Sequence, residues 1–328
     1  MLPRVTAAPR HDWTRDEVAR LWGRPFLDLV LEAAAVHRSR RRANEVQKAT
    51  LLSVKTGGCP ENCGYCPQSA HHATGLAREA LLPLDQVVER ATEARASGST
   101  RFCMGGAYRD APDGEAFDRL LDMVRAVRGL GLEACATLGM LRDDQAKRLA
   151  EAGLTAYNHN LDTGAGWYDR VVTTRTFANR LDTLRRVRDA GLAVCCGGIL
   201  GLGESDEDRI DLLHTLATFD PHPESVPVNR LVPVAGTPMA DRPPVDAVDV
   251  VRTIAAARVL MPGSRIRLSA GRKDLSDAEH ALCFLAGADS IFAGDRLLTT
   301  PNAGDAHDER LLARLGMRTE APAEAVRP

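Results

Sequence analysis

The sequence predicts an α/β fold, a (β/α)8 barrel of the TIM type with an N-terminal helical extension and a short C-terminal tail. Short apolar runs alternate with longer stretches of helical periodicity along most of the chain. A turn glycine repeatedly precedes the next apolar run, at Gly98, Gly131, Gly153, Gly191 and Gly287. Eight such units fill roughly the 250 residues typical of a barrel. Because strand order is invisible in a sequence, an open doubly wound sheet is the alternative.

This pattern divides the chain into three regions. Residues 1–45 are expected to be an N-terminal tail and helical extension, residues 46–305 the barrel, and residues 306–328 a C-terminal helix and mobile tail. Thr14 and Glu17 form a capping-box pattern ahead of an amphipathic stretch, so the extension is predicted to begin as a helix.

Eight strands are predicted within the barrel region. They lie near residues 51–55, 101–104, 132–137, 154–160, 192–196, 225–231, 265–269 and 289–292. The proline-rich stretch 233–244 falls between a strand and its helix, and we expect it to be a long loop at the active end. A last short helix is expected near residues 307–315.

Bulk composition restricts the class of protein. Of the 328 residues 44% are hydrophobic, and the net charge is -2 with acids and bases interspersed, so nothing indicates a nucleic-acid partner. No apolar run approaches the roughly 20 residues of a membrane span, and the N-terminus lacks the apolar core of a secretory signal. We therefore expect a cytoplasmic protein without a membrane partner. Because thiols stay reduced in the cytoplasm, the eight cysteines favour metal ligation over disulfides.

Three cysteines, Cys59, Cys63 and Cys66, form a C-x3-C-x2-C pattern in a loop rich in glycine and proline. Clustered thiolates select zinc or an iron–sulfur cluster, and both normally use four ligands. No fourth cysteine lies nearby, so one metal position is left open, as in catalytic sites. Zinc completed by His71 or His72 is the alternative.

Strand periodicity predicts which side chains face the barrel interior. Residues that alternate with apolar, helix-facing positions must point inward. The inward set comprises Arg101, Cys103, Glu133, Cys135, Thr137, Cys195, Asn229, Arg265, Arg267 and Ser269, and Asn158 shares one face with Asn160. The same period assigns Cys196 to the layer that packs on the helices, and Cys283 is read as helical core.

Three inward cysteines beside the inward Arg267 are unusual, because a barrel core is normally branched and aliphatic. They indicate a second metal site. The alternative is that each cysteine is a small buried hydrophobe and that the arginine merely neutralises Glu133 or Asp162.

The cysteine loop and several later segments resemble the biotin synthases of the radical S-adenosylmethionine (SAM) superfamily. These segments are Arg-Phe-Cys-Met-Gly-Gly (101–106), Tyr-Asn-His-Asn-Leu-Asp-Thr (157–163), Thr-Thr-Arg-Thr-Phe (173–177), Gly-Gly-Ile-Leu-Gly-Leu-Gly-Glu (197–204), Arg-Leu-Ser-Ala-Gly-Arg (267–272) and Leu-Leu-Thr-Thr-Pro (297–301). They follow the family order over roughly residues 15–305.

The resemblance implies two clusters. It places a 4Fe-4S cluster with a SAM-binding iron on Cys59, Cys63 and Cys66, and a 2Fe-2S cluster on Cys103, Cys135, Cys195 and Arg267. In that family a radical derived from SAM takes hydrogen from dethiobiotin, and the 2Fe-2S cluster looks like the source of the sulfur that completes biotin. Saturated C–H bonds are too weakly acidic for a side-chain base, so radical chemistry is the available route.

The resemblance also implies binding residues and partners. SAM is expected to contact Gly105, Gly106, Asn160, Asp162, Arg180 and Ile199, and dethiobiotin to contact Asn160, Asn229, Thr299 and Thr300. Ala107 stands where the superfamily often has a glutamate. The expected partners are an electron-donor protein of flavodoxin or ferredoxin type and a second copy in a homodimer. Another radical SAM enzyme and a non-catalytic zinc-binding barrel are the competing hypotheses.

Overall fold

Strands and helices alternate through the chain, which a computed structural model describes for residues 9–321. The helices are α1 (Arg15–Trp22), α2 (Phe26–Arg40), α3 (Leu84–Ala96), α4 (Glu115–Gly129), α5 (Asp143–Glu151), α6 (Phe177–Asp189), α7 (Asp206–Ala217), α8 (Ala247–Leu260), α9 (Asp277–Leu285) and α10 (Asp305–Arg314). The strands are β1 (Glu45–Lys55), β2 (Arg101–Gly106), β3 (Glu133–Thr137), β4 (Ala156–Asn158), β5 (Ala193–Cys195), β6 (Gly198–Leu200), β7 (Ser225–Arg230), β8 (Arg265–Leu268), β9 (Ser290–Ala293), β10 (Arg296–Leu297), β11 (Thr300–Pro301) and β12 (Arg318–Thr319).

The sheet closes into a barrel. Parallel strands follow one another from β1 to β9, and β9 pairs back onto β1 through Gln47–Thr50 and Ser290–Ala293. The short strands β5 and β6 share one barrel position, since both pair with β7. The predicted (β/α)8 fold is therefore confirmed, and the open sheet is wrong.

The predicted strands correspond to observed ones, but the structure differs in several places. The first strand begins at Glu45, six residues before the predicted start, because its early part pairs with β9 and β12. Strand β6 lies in a glycine-rich segment that carried no strand pattern. Arg318 and Thr319 pair with β1, so this part of the expected mobile tail is held in place; residues 1–8 and 322–328 lie outside the described residues.

The predicted inward and outward faces are confirmed. Phe102, Ala134, Val194, Cys196 and Ile266 are buried in the apolar layer between strands and helices. Cys103, Cys135 and Cys195 form a separate buried group with Ala156 inside the barrel. Cys283 is buried in the helical layer, as expected.

The N-terminal helices lie beside the barrel. Thr14 and Glu17 make the predicted capping box at α1. Helix α1 packs along α7, and α2 packs along α8 and α9. The two helices therefore cover the outer helical layer. Among the described residues, no helix has the length and apolar character needed to cross a membrane.

Candidate functional site

The first cysteine motif lies in a closed loop at the carboxyl end of β1. The Cys59 backbone N–H donates to the Gln68 carbonyl at 2.9 Å, and Ala70 N–H donates to the Cys59 carbonyl at 2.7 Å. Gly57 has φ +70°, and a Cβ there would lie 2.7 Å from the Ala77 carbonyl oxygen, so the turn requires glycine. This loop presents Cys59, Cys63 and Cys66, which we call the outer cysteine set.

Segment 173–177 holds the loop from the other side. Asn62 N–H donates to Thr174 Oγ1 at 3.2 Å, and the Asn62 side chain donates to Thr173 Oγ1 at 2.6 Å. Arg175 follows, with its guanidinium 4.0 Å from Cys63 Sγ. A cation is thereby placed against one thiol of the outer cysteine set.

The second group lies deeper in the barrel. Cys103 and Cys135 are register partners on β2 and β3, and Cys195 pairs with Asn158 across β4 and β5. We call Cys103, Cys135 and Cys195 the inner cysteine set. Arg267 is fully buried, donates from Nε to Ser290 Oγ at 2.9 Å and places Nη1 3.9 Å from Cys195 Sγ.

One cavity of about 310 Å³ joins the two sets. All six cysteines and Arg267 line it, and so do the other predicted binding residues: Gly105, Gly106, Asn160, Asp162, Arg180, Ile199, Asn229, Thr299 and Thr300. The barrel thus brings every residue predicted from the sequence for the site around one space, although they come from most of its strands.

Burial sets the protonation of the thiols. Burial raises the pKa of Cys63 to about 12 and that of Cys66 to about 11, although Arg180 opposes it at Cys63. In the inner cysteine set, a hydrogen bond between Cys103 and Cys135 lowers the pKa of Cys103 and raises that of Cys135 to about 12. A metal must therefore displace protons to bind most of these sulfurs.

Asp162 is the centre of a buried polar network beside the outer cysteine set. Its carboxylate accepts hydrogen bonds from Tyr65 Oη at 3.0 Å and from the Arg180 guanidinium. Arg180 also donates to the Asn160 carbonyl and to Tyr168 Oη, at 2.6 and 2.8 Å. Asp162 has φ +69°, a left-handed conformation that costs a non-glycine residue about 1 kcal/mol. The network holds Asp162 at the cavity wall despite this cost.

The predicted amides are partly used by the protein itself. Asn160 Oδ1 accepts from Gly197 N–H at 3.1 Å, which leaves its amide nitrogen as the group available to a ligand. Asn229 donates to the Gly198 carbonyl at 2.9 Å and accepts from Ala270 N–H at 3.2 Å. Thr300 Oγ1 donates to the Leu297 carbonyl at 3.2 Å within the small β10–β11 hairpin. Asn229 and Thr300 therefore also support the local backbone.

Comparison with known proteins agrees with this geometry. Residues 53–216 match the radical SAM superfamily, and residues 227–318 match the biotin and thiamin synthesis associated domain. The chain is 58% identical over 315 residues to the biotin synthase of Methylobacterium nodulans, covering 96% of this chain and 95% of the relative. It is 59% identical over 309 residues to that of Synechococcus elongatus, covering 94% and 97%.

The chain belongs to the biotin synthase family. It is accordingly an enzyme of the radical SAM superfamily. Two solved structures share its fold: methylornithine synthase (PylB), with TM-score 0.79, 20% identity and 95% of each chain covered, and the hydrogenase maturase HydG from Carboxydothermus hydrogenoformans, with TM-score 0.81, 17% identity and 96% and 77% covered. At these identities the likeness concerns the fold alone.

The non-catalytic zinc hypothesis does not suit a member of the biotin synthase family, nor the geometry of the loop. His71 Nε2 bonds the Pro60 carbonyl at 3.0 Å, and His72 Nε2 bonds the Cys63 carbonyl at 2.9 Å. Both histidines are therefore engaged with backbone carbonyls of the loop.

The residues around both sets suit clusters. Arg101 Nη1 and Arg175 Nε are buried donor atoms without a hydrogen-bond partner among the described residues. Arg101 and Arg267 together outnumber the single Glu133 carboxylate near the inner cysteine set, so its surroundings are net positive. Thiolate-ligated iron–sulfur clusters are anionic and would satisfy this excess of positive charge.

Several site residues escaped sequence reasoning. Tyr65, Glu61, Arg175 and Leu298 all line the cavity. Tyr65 and Glu61 lie inside the cysteine motif, where an aromatic residue and a carboxylate between ligands were available signals. Leu298 has φ +50° in the hairpin loop, and no pattern in the sequence announces it.

Proposed function

We propose that this chain catalyses the insertion of sulfur into dethiobiotin to form biotin, the last step of biotin biosynthesis. The observation that carries the proposal is the single cavity lined at one end by the outer cysteine set and, deeper in the barrel, by the inner cysteine set with Arg267. A radical SAM enzyme without a sulfur source needs only the first of these sets. When bound, a 4Fe-4S cluster and SAM supply radical hydrogen abstraction, and a 2Fe-2S cluster supplies sulfur.

Each set has a distinct place in this proposal. Cys59, Cys63 and Cys66 would hold the 4Fe-4S cluster and leave one iron for SAM, because the loop offers three thiolates and its histidines are bonded to backbone carbonyls. Cys103, Cys135, Cys195 and Arg267 would hold the 2Fe-2S cluster. The depth of the inner cysteine set keeps water from the carbon that loses hydrogen.

The cavity walls between the sets would orient SAM and substrate. Asp162 suits the ribose hydroxyls of SAM, with the Asn160 amide beside it, and Ile199 offers an apolar contact for adenine. Gly105 and Gly106 leave room for the methionine end, since a Cβ on Gly105 would lie 2.7 Å from Leu298 Cδ2. Arg180 carries a charge that would attract the SAM carboxylate. Asn229, Thr299 and Thr300 would meet dethiobiotin.

The proposal extends to the partners and location of the enzyme. Reduction of the first cluster requires an external donor, for which a flavodoxin- or ferredoxin-type protein is proposed. A homodimer in the cytoplasm is proposed on the family resemblance. Size-exclusion chromatography with light scattering would test the dimer directly.

The decisive experiment reconstitutes the protein with iron and sulfide in the absence of oxygen. We expect both cluster types by Mössbauer spectroscopy, and biotin together with 5′-deoxyadenosine from dethiobiotin and SAM by mass spectrometry. Cys103→Ala should still release 5′-deoxyadenosine but make no biotin. If wild-type protein cleaves SAM and leaves dethiobiotin unchanged under these conditions, the enzyme has another substrate.

A further inference from the structure

A single layer of side chains, which we call the floor, separates the inner cysteine set from the end of the barrel opposite the outer cysteine set. Arg101 and Glu133 are register partners on β2 and β3, two residues before the paired Cys103 and Cys135. Ala193 on β5, two residues before Cys195, and Arg265 on β8, two residues before Arg267, also belong to this layer, and Arg265 pairs with Glu320 at 2.7 Å. Barrels normally fill such a layer with branched aliphatic residues. Here it contains the Arg101–Glu133 and Arg265–Glu320 ion pairs, Gln47 and the small side chain of Ala193.

The floor reaches solvent. The Glu133 side chain is 39% exposed, whereas that of Arg101 is 7% exposed. Neither residue lines the cavity that contains the two cysteine sets, so the exposed surface of Glu133 faces the other end of the barrel. Ala193, also in the floor, is partly exposed. The end of α2 and the β12 segment reach part of this end, where Arg40, Arg265 and Glu320 line one surface depression.

Hydrogen bonds cross the floor from solvent to sulfur. Glu133 accepts from Arg101 Nε at 2.8 Å and from Gln47 Nε2 at 3.1 Å. Gln47 Oε1 accepts from Arg267 Nη2 at 3.3 Å, and Arg267 Nη1 lies 3.9 Å from Cys195 Sγ. Arg101 Nη1 has no partner among the described residues. Polar atoms therefore line an unbroken path from a half-buried carboxylate to the inner cysteine set.

The geometry points to the floor as the route by which iron and sulfide ions reach the inner cysteine set, with the Arg101–Glu133 pair as the barrier. This inference rests on the proposed function, in which sulfur is taken from the inner cluster and must be replaced. SAM and dethiobiotin would fill the cavity on the other side. Small inorganic ions need only a brief separation of one ion pair beside the small side chain of Ala193, and the polar path solvates them.

The test measures how fast the inner cluster loses iron to an external chelator in the absence of reductant and oxygen. Loss is followed by visible absorbance and Mössbauer spectra, with and without saturating SAM and dethiobiotin. Glu133→Ala opens the floor, Glu133→Gln removes the charge but keeps the side-chain volume, and Leu298→Ala widens the opposite wall of the cavity. Retention of the outer cluster reports that each variant is folded.

If iron leaves through the floor, the wild-type inner cluster should lose iron equally fast with and without bound SAM and dethiobiotin. Glu133→Ala should accelerate this loss about tenfold, as expected for one lost charge-assisted hydrogen bond, and Glu133→Gln should accelerate it less. Leu298→Ala should leave the ligand-bound rate unchanged.

The inference is overturned if SAM and dethiobiotin slow wild-type loss, if Leu298→Ala accelerates the ligand-bound loss, or if neither Glu133 variant changes the rate. Equal acceleration by Gln and Ala would assign the barrier to the charge of the pair and would support the inference. If a Glu133 variant takes up no inner cluster, the inference is tested by the rates at which the wild-type cluster loses iron with and without SAM and dethiobiotin. Absence of any inner cluster in wild-type protein would instead refute the proposed function.

Discussion

Tyr65 donates its hydroxyl hydrogen to Asp162 Oδ2 at 3.0 Å, which joins the outer cysteine loop to the segment that follows β4. Tyr65→Phe removes this bond and keeps the ring. We expect SAM affinity to fall about fivefold, the effect of one hydrogen bond worth about 1 kcal/mol. Anaerobic titration with SAM measures the change. Tyr108→Phe, also in the cavity wall but without a bond to Asp162, is the control. If Tyr65→Phe and the wild type bind SAM with equal affinity, the hydrogen bond from Tyr65 to Asp162 does not contribute to SAM binding.

Cys195 and Cys196 are adjacent in sequence and face opposite sides of the barrel wall. Cys195→Ala should abolish the 2Fe-2S spectrum and biotin formation while keeping the 4Fe-4S cluster. Cys196→Ala should keep both clusters and most activity, because its sulfur lies in the layer between strands and helices, at a stability cost of about 1 kcal/mol. Iron content and visible spectra of both variants, reconstituted in parallel, distinguish these results. The opposite pattern would show that the register of β5 is wrong.

Arg175 places its charge 4.0 Å from Cys63 Sγ with only 8% of its side chain exposed. A nearby cation stabilises the more negative, reduced cluster. Arg175→Gln should therefore lower the midpoint potential of the SAM-binding cluster by about 40 mV or more, since about 1 kcal/mol is gained by opposite charges at this distance even in water.

Potentiometric titration followed by electron paramagnetic resonance measures this potential. Arg109→Gln is the matched control, because Arg109 contacts the same Glu61 carboxylate but is 42% exposed. An unchanged potential in Arg175→Gln, or an equal fall in both variants, would contradict a specific effect of Arg175 on the cluster.

His37 makes stability depend on pH far from the site. Burial, reinforced by the Arg258 charge, lowers the pKa of His37 to about 4. The unfolded chain, with an ordinary histidine pKa, binds more protons below about pH 6.5, so the folded state loses stability as pH falls. Between about pH 7.5 and 5.5 this amounts to about 1 kcal/mol of unfolding free energy.

Urea unfolding at these two pH values, under anaerobic conditions, measures the loss. In His37→Gln the difference in unfolding free energy between the two pH values should shrink by about 1 kcal/mol. His214 is a half-buried histidine on α7, and His214→Gln serves as control. If His37→Gln and wild type lose the same stability over this interval, His37 is not the group that titrates.

The sequence by itself determined the barrel and the side of each strand on which the cysteines lie. Alternation at Phe102–Cys103, Ala134–Cys135 and Val194–Cys195 was enough, because strand period two is a local property of the backbone. The C-x3-C-x2-C spacing was equally local. The strand alternation survives folding unchanged because the apolar residue of each pair must meet a helix.

Tertiary structure alone decided which residues touch across long separations. Tyr65 and Asp162 lie 97 positions apart, and Gln47 and Arg267 lie 220 positions apart, so no local pattern connects them. No local pattern predicts that the Asn229 amide bonds to neighbouring backbone groups. Nor does a local pattern predict that β1 begins at Glu45, which results from its pairing with β9 and β12. Barrel closure sets these contacts, because it fixes strand stagger and thereby which side chains share a level inside the barrel.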